Sequence, residues 1–421
     1  MKFDEFKLEQ VLESIFSGGT PSTQKKNYWD GEFSWLSSGE TRNNVIRETE
    51  KKISEEGIKN SSTKLAQIGD IVMASAGQGY TRGQTSILCI DTYINQSVIA
   101  LRANEEILDN KYLYYNLSSR YKELRALSDS SSIRGSITTK MLKQLNIKIP
   151  KIKYQKKVVN ILWNLDSKIE LNNQIISNLE ELASTLFKRW FVDFEFPDEN
   201  GNPYKSSGGK MVDSELGEIP EGWKIIDLKS IVDVVDNRGK TPPLEKDKTD
   251  FPIIDVKTLS GNGRVVNYSK AQKYVSEETY SSWFRSGHPK INDILISTVG
   301  SIGEIKMFLT DKGTIAQNVV GLRAKNHLEY YLYQFLLYNK SNLITYNIGS
   351  VQPSIKVTHL LKYKLLLPSK KDLNKFNSVM IGLTDKIINL SKGVNSLTEI
   401  RDSLLPKLLS GEIELPEDEG V

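Results

Sequence analysis

Over residues 155–191 the apolar positions advance in alternating steps of four and three: Val158, Leu162, Leu165, Ile169, Asn172, Ile176, Leu179, Ala183, Leu186 and Trp190. Adding 218 to each number gives Phe376, Met380, Leu383, Ile387, Leu390, Val394, Leu397, Arg401, Leu404 and Leu408, the same seam a second time. This period predicts a long helix at each place, with a heptad stripe suited to packing on another helix. A stripe of this kind usually faces the core of its own domain. About 37 residues, however, would make a helix of roughly 55 Å, too long for that role alone. Two equivalent helices in one chain are natural partners, and a pseudo-two-fold relation would make them antiparallel. Each seam has one polar exception. Asn172 stands where a lone polar residue can fix register at some cost in stability, and Arg401 has Ile400 beside it to keep the apolar face. On the first helix Ile161, Ile175 and Leu182 form a second apolar column, which suits either further helices from a partner or the helix's own globular domain.

The chain ahead of each helix is duplicated as well. Residues 68–73 (IGDIVM) match 291–296 (INDILI), 94–104 (INQSVIALRAN) match 315–325 (IAQNVVGLRAK), and 112–117 (YLYYNL) match 331–336 (YLYQFL). Residues 142–150 match 360–368, and Gly19-Thr20-Pro21 pairs with Thr241-Pro242, all in one order and at offsets of 218 to 223. Short β-type runs at 70–74, 85–90, 97–101, 293–297 and 318–322 are separated by Gly, Asn and Ser turns, and helices are expected near 111–127 and 328–338. The fold class expected is therefore mixed α/β (α+β), a tandem duplication of a globular domain plus a long helix, with the two helices as an antiparallel coiled coil. The segments are 1–150 (first globular domain), 151–195 (first helix), 196–214 (a Gly, Pro, Ser and Asn-rich linker), 215–368 (second domain), 369–411 (second helix) and 412–421 (an acidic, frayed tail).

Composition narrows the picture without deciding it. A chain of 421 residues exceeds one ordinary core, and 38% hydrophobic with 26% charged residues is a globular mixture. No apolar run reaches bilayer length and residues 1–5 do not open a signal peptide, so a cytoplasmic protein without a membrane role is expected. The single cysteine, Cys89, excludes an internal disulfide or a thiolate zinc cage, and His288, His327 and His359 are far apart in sequence. A net charge of +4 suits a nucleic-acid partner and a mildly basic enzyme equally.

Catalytic motifs are missing where they would be sought. Gly208-Gly209-Lys210-Met211 lacks the leading glycine and the hydroxyl of a phosphate-binding loop, and Gly261-Asn262-Gly263 and Gly77-Gln78-Gly79 stop after two glycines. No Asn/Asp-Pro-Pro-Tyr/Phe tetrapeptide of an adenine methylase, no HExxH and no CxxC occurs. Asp250 with Asp255-Val256-Lys257 has the form of a magnesium nuclease triplet. The equivalent residues 33–39 (FSWLSSG) carry neither acid nor lysine, and such triplets arise by chance among 52 acidic residues. The reading is a non-catalytic chain with no cofactor and no metal. What the two copies do share is a pair of polar loops after matched elements. Residues 77–84 (GQGYTRGQ) correspond to 300–303 (GSIG), and 132–136 (SIRGS) to 350–356 (SVQPSIK). Glycine permits close backbone approach, Arg and Gln can bond base edges bidentately, and Ser, Thr and Lys suit phosphate oxygens. Any one of these residues is more often just a solvated loop residue. A retained scaffold with changed polar tips is what two readers of different sequences would look like. By loop placement and side-chain type the candidate DNA contacts are Thr20, Arg42, Gln78, Tyr80, Thr81, Arg82, Arg134 and Ser136 in the first copy. In the second they are Arg238, Lys240, Thr241, Lys257, Arg264, Ser301, Gln352, Ser354 and Lys356.

The chain resembles the specificity subunits of type I restriction–modification enzymes. The resemblance is carried by residues 18–22 (GGTPS) with 28–31 (YWDG) and Trp35, by 186–193 (LFKRWFVD), by 216–223 (LGEIPEGW) and by 401–412 (RDSLLPKLLSGE). It covers essentially the whole chain, although the first copy has no equivalent of 216–223. The resemblance implies that each globular domain is a target-recognition domain reading one half of a split site in double-stranded DNA. It further implies that the coiled coil sets the spacing and docks methyltransferase subunits, to which restriction and translocase subunits attach. Catalysis and its cofactors would belong to those partners. Ile161, Ile175, Leu182, Phe187 and Phe191 are the expected partner contacts. The alternatives are a self-contained nuclease or methyltransferase, or a coiled-coil adaptor that binds only protein.

Overall fold

The structure is a computed structural model that describes residues 2–77, 79–129, 135–239, 241–315, 318–347 and 353–416. It divides into two compact units, Met1–Lys168 with Ser396–Val421, and Ile169–Asn395. In the first unit Leu12–Ser17 (β1), Val45–Ile46 (β2), Ile71–Ala74 (β3), Thr85–Leu88 (β4) and Val98–Ala103 (β5) form a sheet ordered β1-β5-β3-β4-β2, antiparallel except for the β4–β2 edge. β3 and β4 are buried along their whole length; β3 accordingly reads as a continuous apolar run, whereas β4 opens with Thr85 and Ser86, and the buried Ser86 hydroxyl donates to Thr41 O at 3.1 Å. One face packs Ile71, Met73, Ile99 and Leu101 on a helix, Asn110–Ser119 (α1), through Tyr112, Leu113 and Leu117. The other packs Val72, Leu88, Val98 and Ala100 on Leu36 and Ile94 of a second sheet. The helix expected near 111–127 is two: α1 ends at Ser119, Arg120 leaves helical geometry, and Tyr121–Asp129 (α2) follows.

The second unit repeats this plan. Val232–Val235 (β6), Ile294–Ser297 (β7), Ile305–Met307 (β8) and Val319–Ala324 (β9) form an antiparallel sheet ordered β6-β9-β7-β8, the counterpart of β1-β5-β3-β4. A parallel bridge from Val265 to Met307 stands where β2 stands in the first unit. Ile294, Ile296, Val320 and Leu322 pack on Tyr331, Leu332, Phe335 and Leu336 around the helix Glu329–Tyr338, which is followed by Lys340–Thr345.

The long helices run Ile152–Phe191 (α3) and Lys370–Ser410 (α6), the two after α2 in the second unit being α4 (Glu329–Tyr338) and α5 (Lys340–Thr345). In each unit the beginning of one long helix lies with the end of the other, so the pair is antiparallel: Val158 and Leu162 share a core with Leu408, and Phe187 and Trp190 with Phe376. Every seam position in both helices is buried or half-buried. The polar exceptions find different solutions. Arg401 is not covered by Ile400, which is 46% exposed; its guanidinium donates to Asp166 on α3 at 2.8 Å, and the Tyr115 hydroxyl donates to the other Asp166 oxygen at 2.6 Å. Asn172 is buried beside Gly393, and its carbonyl oxygen has no partner among the described residues. A buried acceptor left unpaired costs about 1–3 kcal/mol. Asn172→Leu, the residue type at the equivalent Leu390, is therefore expected to raise the stability of the second unit by about 1–2 kcal/mol, read as a higher urea midpoint at unchanged slope.

The tail expected to fray is docked as far as it is described. Ile413 and Leu415 pack on the first unit's core and Lys157 Nζ donates to the Pro416 carbonyl at 2.7 Å. Lys375 makes the same bond to the Pro197 carbonyl at 2.9 Å in the second unit. Glu414-Leu415-Pro416 is thus a further repeat of Glu195-Phe196-Pro197, with one proline carbonyl at the start of each long helix.

Candidate nucleic-acid interface

The described residues of the two polar loops of each copy are joined by backbone hydrogen bonds. In the first unit the β3–β4 connection closes with Gly83 N–H donating to Ala74 O at 2.9 Å, and Ile137 N–H from the second loop donates to Ser75 O at 2.8 Å. Ser75 N–H donates in turn to Ser97 O at 2.8 Å, where β5 begins. Ser136 is half-buried at this junction, Thr81 is half-buried, and Tyr80 stands 82% exposed. Gly77 and Gly79 hold φ at 135° and 65°, values that a β-carbon opposes, so the turn depends on glycine at both positions. Thr20 hydroxyl donates to Gln96 Oε1, one residue before Ser97.

The second unit repeats the arrangement bond for bond. Gly303 N–H donates to Ser297 O at 3.0 Å, Thr298 N–H to Asn318 O at 2.8 Å, and Ile355 N–H to Thr298 O at 2.8 Å. Gly300 N–H reaches Pro353 O at 3.0 Å, and Ser354 N–H is held by Asn347 Oδ1 at 2.9 Å. Ser301 and Lys356 are exposed there and Ser354 is half-buried. Ile137 and Ile355 hold matched positions, so the backbone of the loop pair is shared while the displayed side chains differ.

Residues that the sequence alone does not single out brace these loops. In the first unit α2 turns Tyr121, Arg125 and Asp129 toward the β3–β4 connection. Tyr121 hydroxyl donates to Tyr80 O at 2.8 Å, Arg125 donates to Gly79 O, and Asp129 receives Arg82. In the second, Lys340 of α5 pairs with Glu304 at 3.2 Å. The signal was present as the four-residue spacing of 121, 125 and 129, which places them on one helical face.

Other expected contacts do not join these clusters. Arg264 is corrected outright: it is fully buried, donates to both Glu180 oxygens on α3 and to Thr384 on α6, and lies over the Tyr333 ring. Arg82 is corrected as well, being 7% exposed and committed to Asp129. Arg42 pairs with Glu50 at 2.9 Å, and Lys257 donates to Gln272 at 2.8 Å. Arg238 is held by Asp236 at the edge of a cavity of about 490 Å³ shared with Trp283 and Arg285. Burial raises the Asp236 carboxyl, but the Arg238 side chain and backbone outweigh this and hold it below the usual carboxylate range. Thr241 is exposed. Gln78, Arg134, Lys240 and Gln352 lie outside the described residues. In the nuclease-like triplet Asp255 caps a short helix, accepting from the backbone of Lys257 at 3.0 Å and Thr258 at 3.3 Å. Among the described residues no group of three or more His, Cys, Asp or Glu could hold a metal ion, and no helix is long and apolar enough to cross a membrane. A buried lysine, Lys306, donates to the carbonyls of Gly261, Asn262 and Gly263, and burial pushes its pKa down to about 8.

The expected partner face is also redistributed. Phe187 and Phe191 are corrected to core residues of the second unit, with Phe191 centred 4.9 Å from Tyr331 and 4.8 Å from Phe376. Ile161 packs on the first unit's core. Ile175 is half-buried, and Leu182 is 52% exposed.

The chain is thus a duplicated α/β unit that displays paired loops of different composition on antiparallel helices. The chain matches the type I restriction modification DNA specificity domain twice, over residues 1–181 and 220–395, and it belongs to that family. It is 26% identical to the MjaIX type I specificity subunit of Methanocaldococcus jannaschii over 99% of this chain and 94% of that one. It is 22% identical to the HindI specificity subunit of Haemophilus influenzae over 90% of this chain and 94% of that one. The crystal structure of the type I S subunit from M. genitalium shares its fold, with a TM-score of 0.60 at 17% identity over 97% of this chain and 96% of that one.

Proposed function

We propose that this specificity subunit recognises a two-part site in double-stranded DNA, each unit reading one half through its paired loops. The observation that carries this is the matched backbone bond, Ile137 to Ser75 and Ile355 to Thr298, beneath loops whose tips differ. Retained geometry with exchanged side chains supports two reading heads of different specificity. In this reading residues 1–150 and 215–368 are the recognition domains, 196–214 is the linker, 412–421 is the tail, and the helices within 151–195 and 369–411 hold the half-sites at a fixed separation. Methyltransferase subunits dock on the helices, with Ile175 and exposed Leu182 as the apolar contacts that remain free for them. Restriction and translocase subunits attach through those subunits. The chain contributes recognition and no catalytic group or cofactor of its own, and works in the cytoplasm beside the DNA.

Among the expected contacts, Tyr80, Thr81 and Ser136 face the first half-site, and Ser301, Ser354 and Lys356 the second. Binding by the complex with methyltransferase subunits is expected to weaken along a straight line in log affinity against log salt, as phosphate contacts release counterions. Fluorescence anisotropy between roughly 50 and 200 mM salt checks it. A complex that assembles yet binds no DNA at any salt would favour the protein-only adaptor.

A further inference from the structure

Tyr80 is an unusual residue to find so thoroughly exposed on a loop so thoroughly held. The residue is 82% exposed, and its side chain meets only the nearby charge of Arg125, with no hydrogen bond or ring contact among those described. The backbone beneath it is fixed from three sides. Tyr121 hydroxyl donates to its own carbonyl at 2.8 Å, Arg125 donates to the preceding carbonyl of Gly79, and Arg82 two residues on is tied to Asp129. Arg125 also donates to the Tyr121 hydroxyl at 3.0 Å, which joins two of the braces into one unit. Side chains of α2 thus hold the described backbone on both sides of Tyr80, and the tyrosine side chain stands in water between them. The corresponding loop of the second unit is braced by Lys340 and Glu304 and carries Ser301 at its tip instead.

We propose that Tyr80 is an aromatic wedge that packs on the bases of the half-site read by the first unit, with Tyr121 and Arg125 as positioning residues that hold the loop for it. The inference rests on the two-part reading above. An uncharged ring releases no counterion and its hydroxyl offers phosphate a single hydrogen bond, whereas stacking on a base or entering a base step uses the apolar face that the loop displays. Only one half-site should show the effect, because only one loop carries the ring.

The test uses the full chain assembled with methyltransferase subunits and duplexes of its selected target carrying 2-aminopurine at single positions. Wild type is expected to raise 2-aminopurine fluorescence at one step in one half-site. Tyr80→Ala should abolish that signal and weaken binding roughly 10- to 100-fold, within the range that one stacked base supplies, at an unchanged salt slope. Tyr80→Phe should keep both signal and affinity. Tyr121→Phe, which keeps the ring and loses the brace, should lower the signal and weaken binding several-fold. Three results would overturn the wedge while leaving the two-part reading in place: affinity of Tyr80→Ala within twofold of wild type, lost affinity with the fluorescence signal intact, or failure of Tyr80→Ala to assemble with methyltransferase subunits. The last would make Tyr80 a protein contact. Indifference of the wild-type complex to base changes in one half-site would instead overturn the two-part reading itself.

Discussion

Arg264→Ala is expected to destabilise the second unit by about 3–5 kcal/mol, the cost of leaving one member of a buried ion pair without its partner. Arg264 is fully buried, and Glu180, with its side chain 16% exposed, accepts from the Arg264 backbone at 2.7 Å and from the guanidinium at 2.9 Å. The remaining guanidinium nitrogen serves Thr384, so one side chain ties the loop after residue 260 to both long helices within that unit. Lysine cannot reproduce this fork, and Arg264→Lys should lose most of the same stability. Replacing the pair together, Arg264→Met with Glu180→Leu, removes the stranded charge and should recover much of the loss. Urea unfolding followed by near-ultraviolet circular dichroism reads all three. A loss under about 1 kcal/mol for Arg264→Ala would fall in the range of an exposed ion pair and would contradict the burial.

Lengthening both helices together is expected to change which DNA is bound without changing which bases are read. Asn172 lies beside Gly393, and in an antiparallel pair three residues onward from Asn172 meets three residues back from Gly393. Four residues inserted after Ile175 and four after Asn389 therefore keep the facing residues on either side of the insertion paired as before. Four helical residues add about 6 Å and about 40° beyond a full turn. One DNA base pair adds about 3.4 Å and about 36°. The rotation matches one base pair and the length lies between one and two, so the preferred spacer should grow by one or two base pairs with both half-sites retained. Selection from a library of spacer lengths measures it. Retention of the original spacer would contradict the assignment of spacing to the helices.

Much of this architecture was legible because the duplication preserved what hydrophobic burial enforces. β3 and β7, β5 and β9, and both heptad seams repeat as apolar patterns, since a buried position tolerates little else. The loop pairs were legible for the complementary reason: they stayed polar and glycine-rich while their side chains diverged. Arg264 and Arg82 were misread because a sequence displays an arginine among glycines identically whether it faces solvent or a carboxylate far along the chain. Glu180 is 84 positions from Arg264 and Asp129 is 47 from Arg82, and no local pattern links such partners. Phe187 and Phe191 stand among the expected partner contacts, whereas Tyr331, Phe376 and Trp223 close over them from segments distant in sequence. The split of one expected helix into α1 and α2 has no proline or glycine to announce it. It is that break which lets α2 brace the loop bearing Tyr80.

The most direct test of the central claim is genome-wide, single-molecule mapping of methylated bases in a host expressing this chain with its methyltransferase subunits. The account predicts one motif made of two short defined halves separated by a fixed number of unspecified positions. In a variant whose residues 300–303 and 353–356 are replaced, one half should change while the other half and the spacer stay as they were. A single uninterrupted motif, or a variant in which both halves change together, would contradict it.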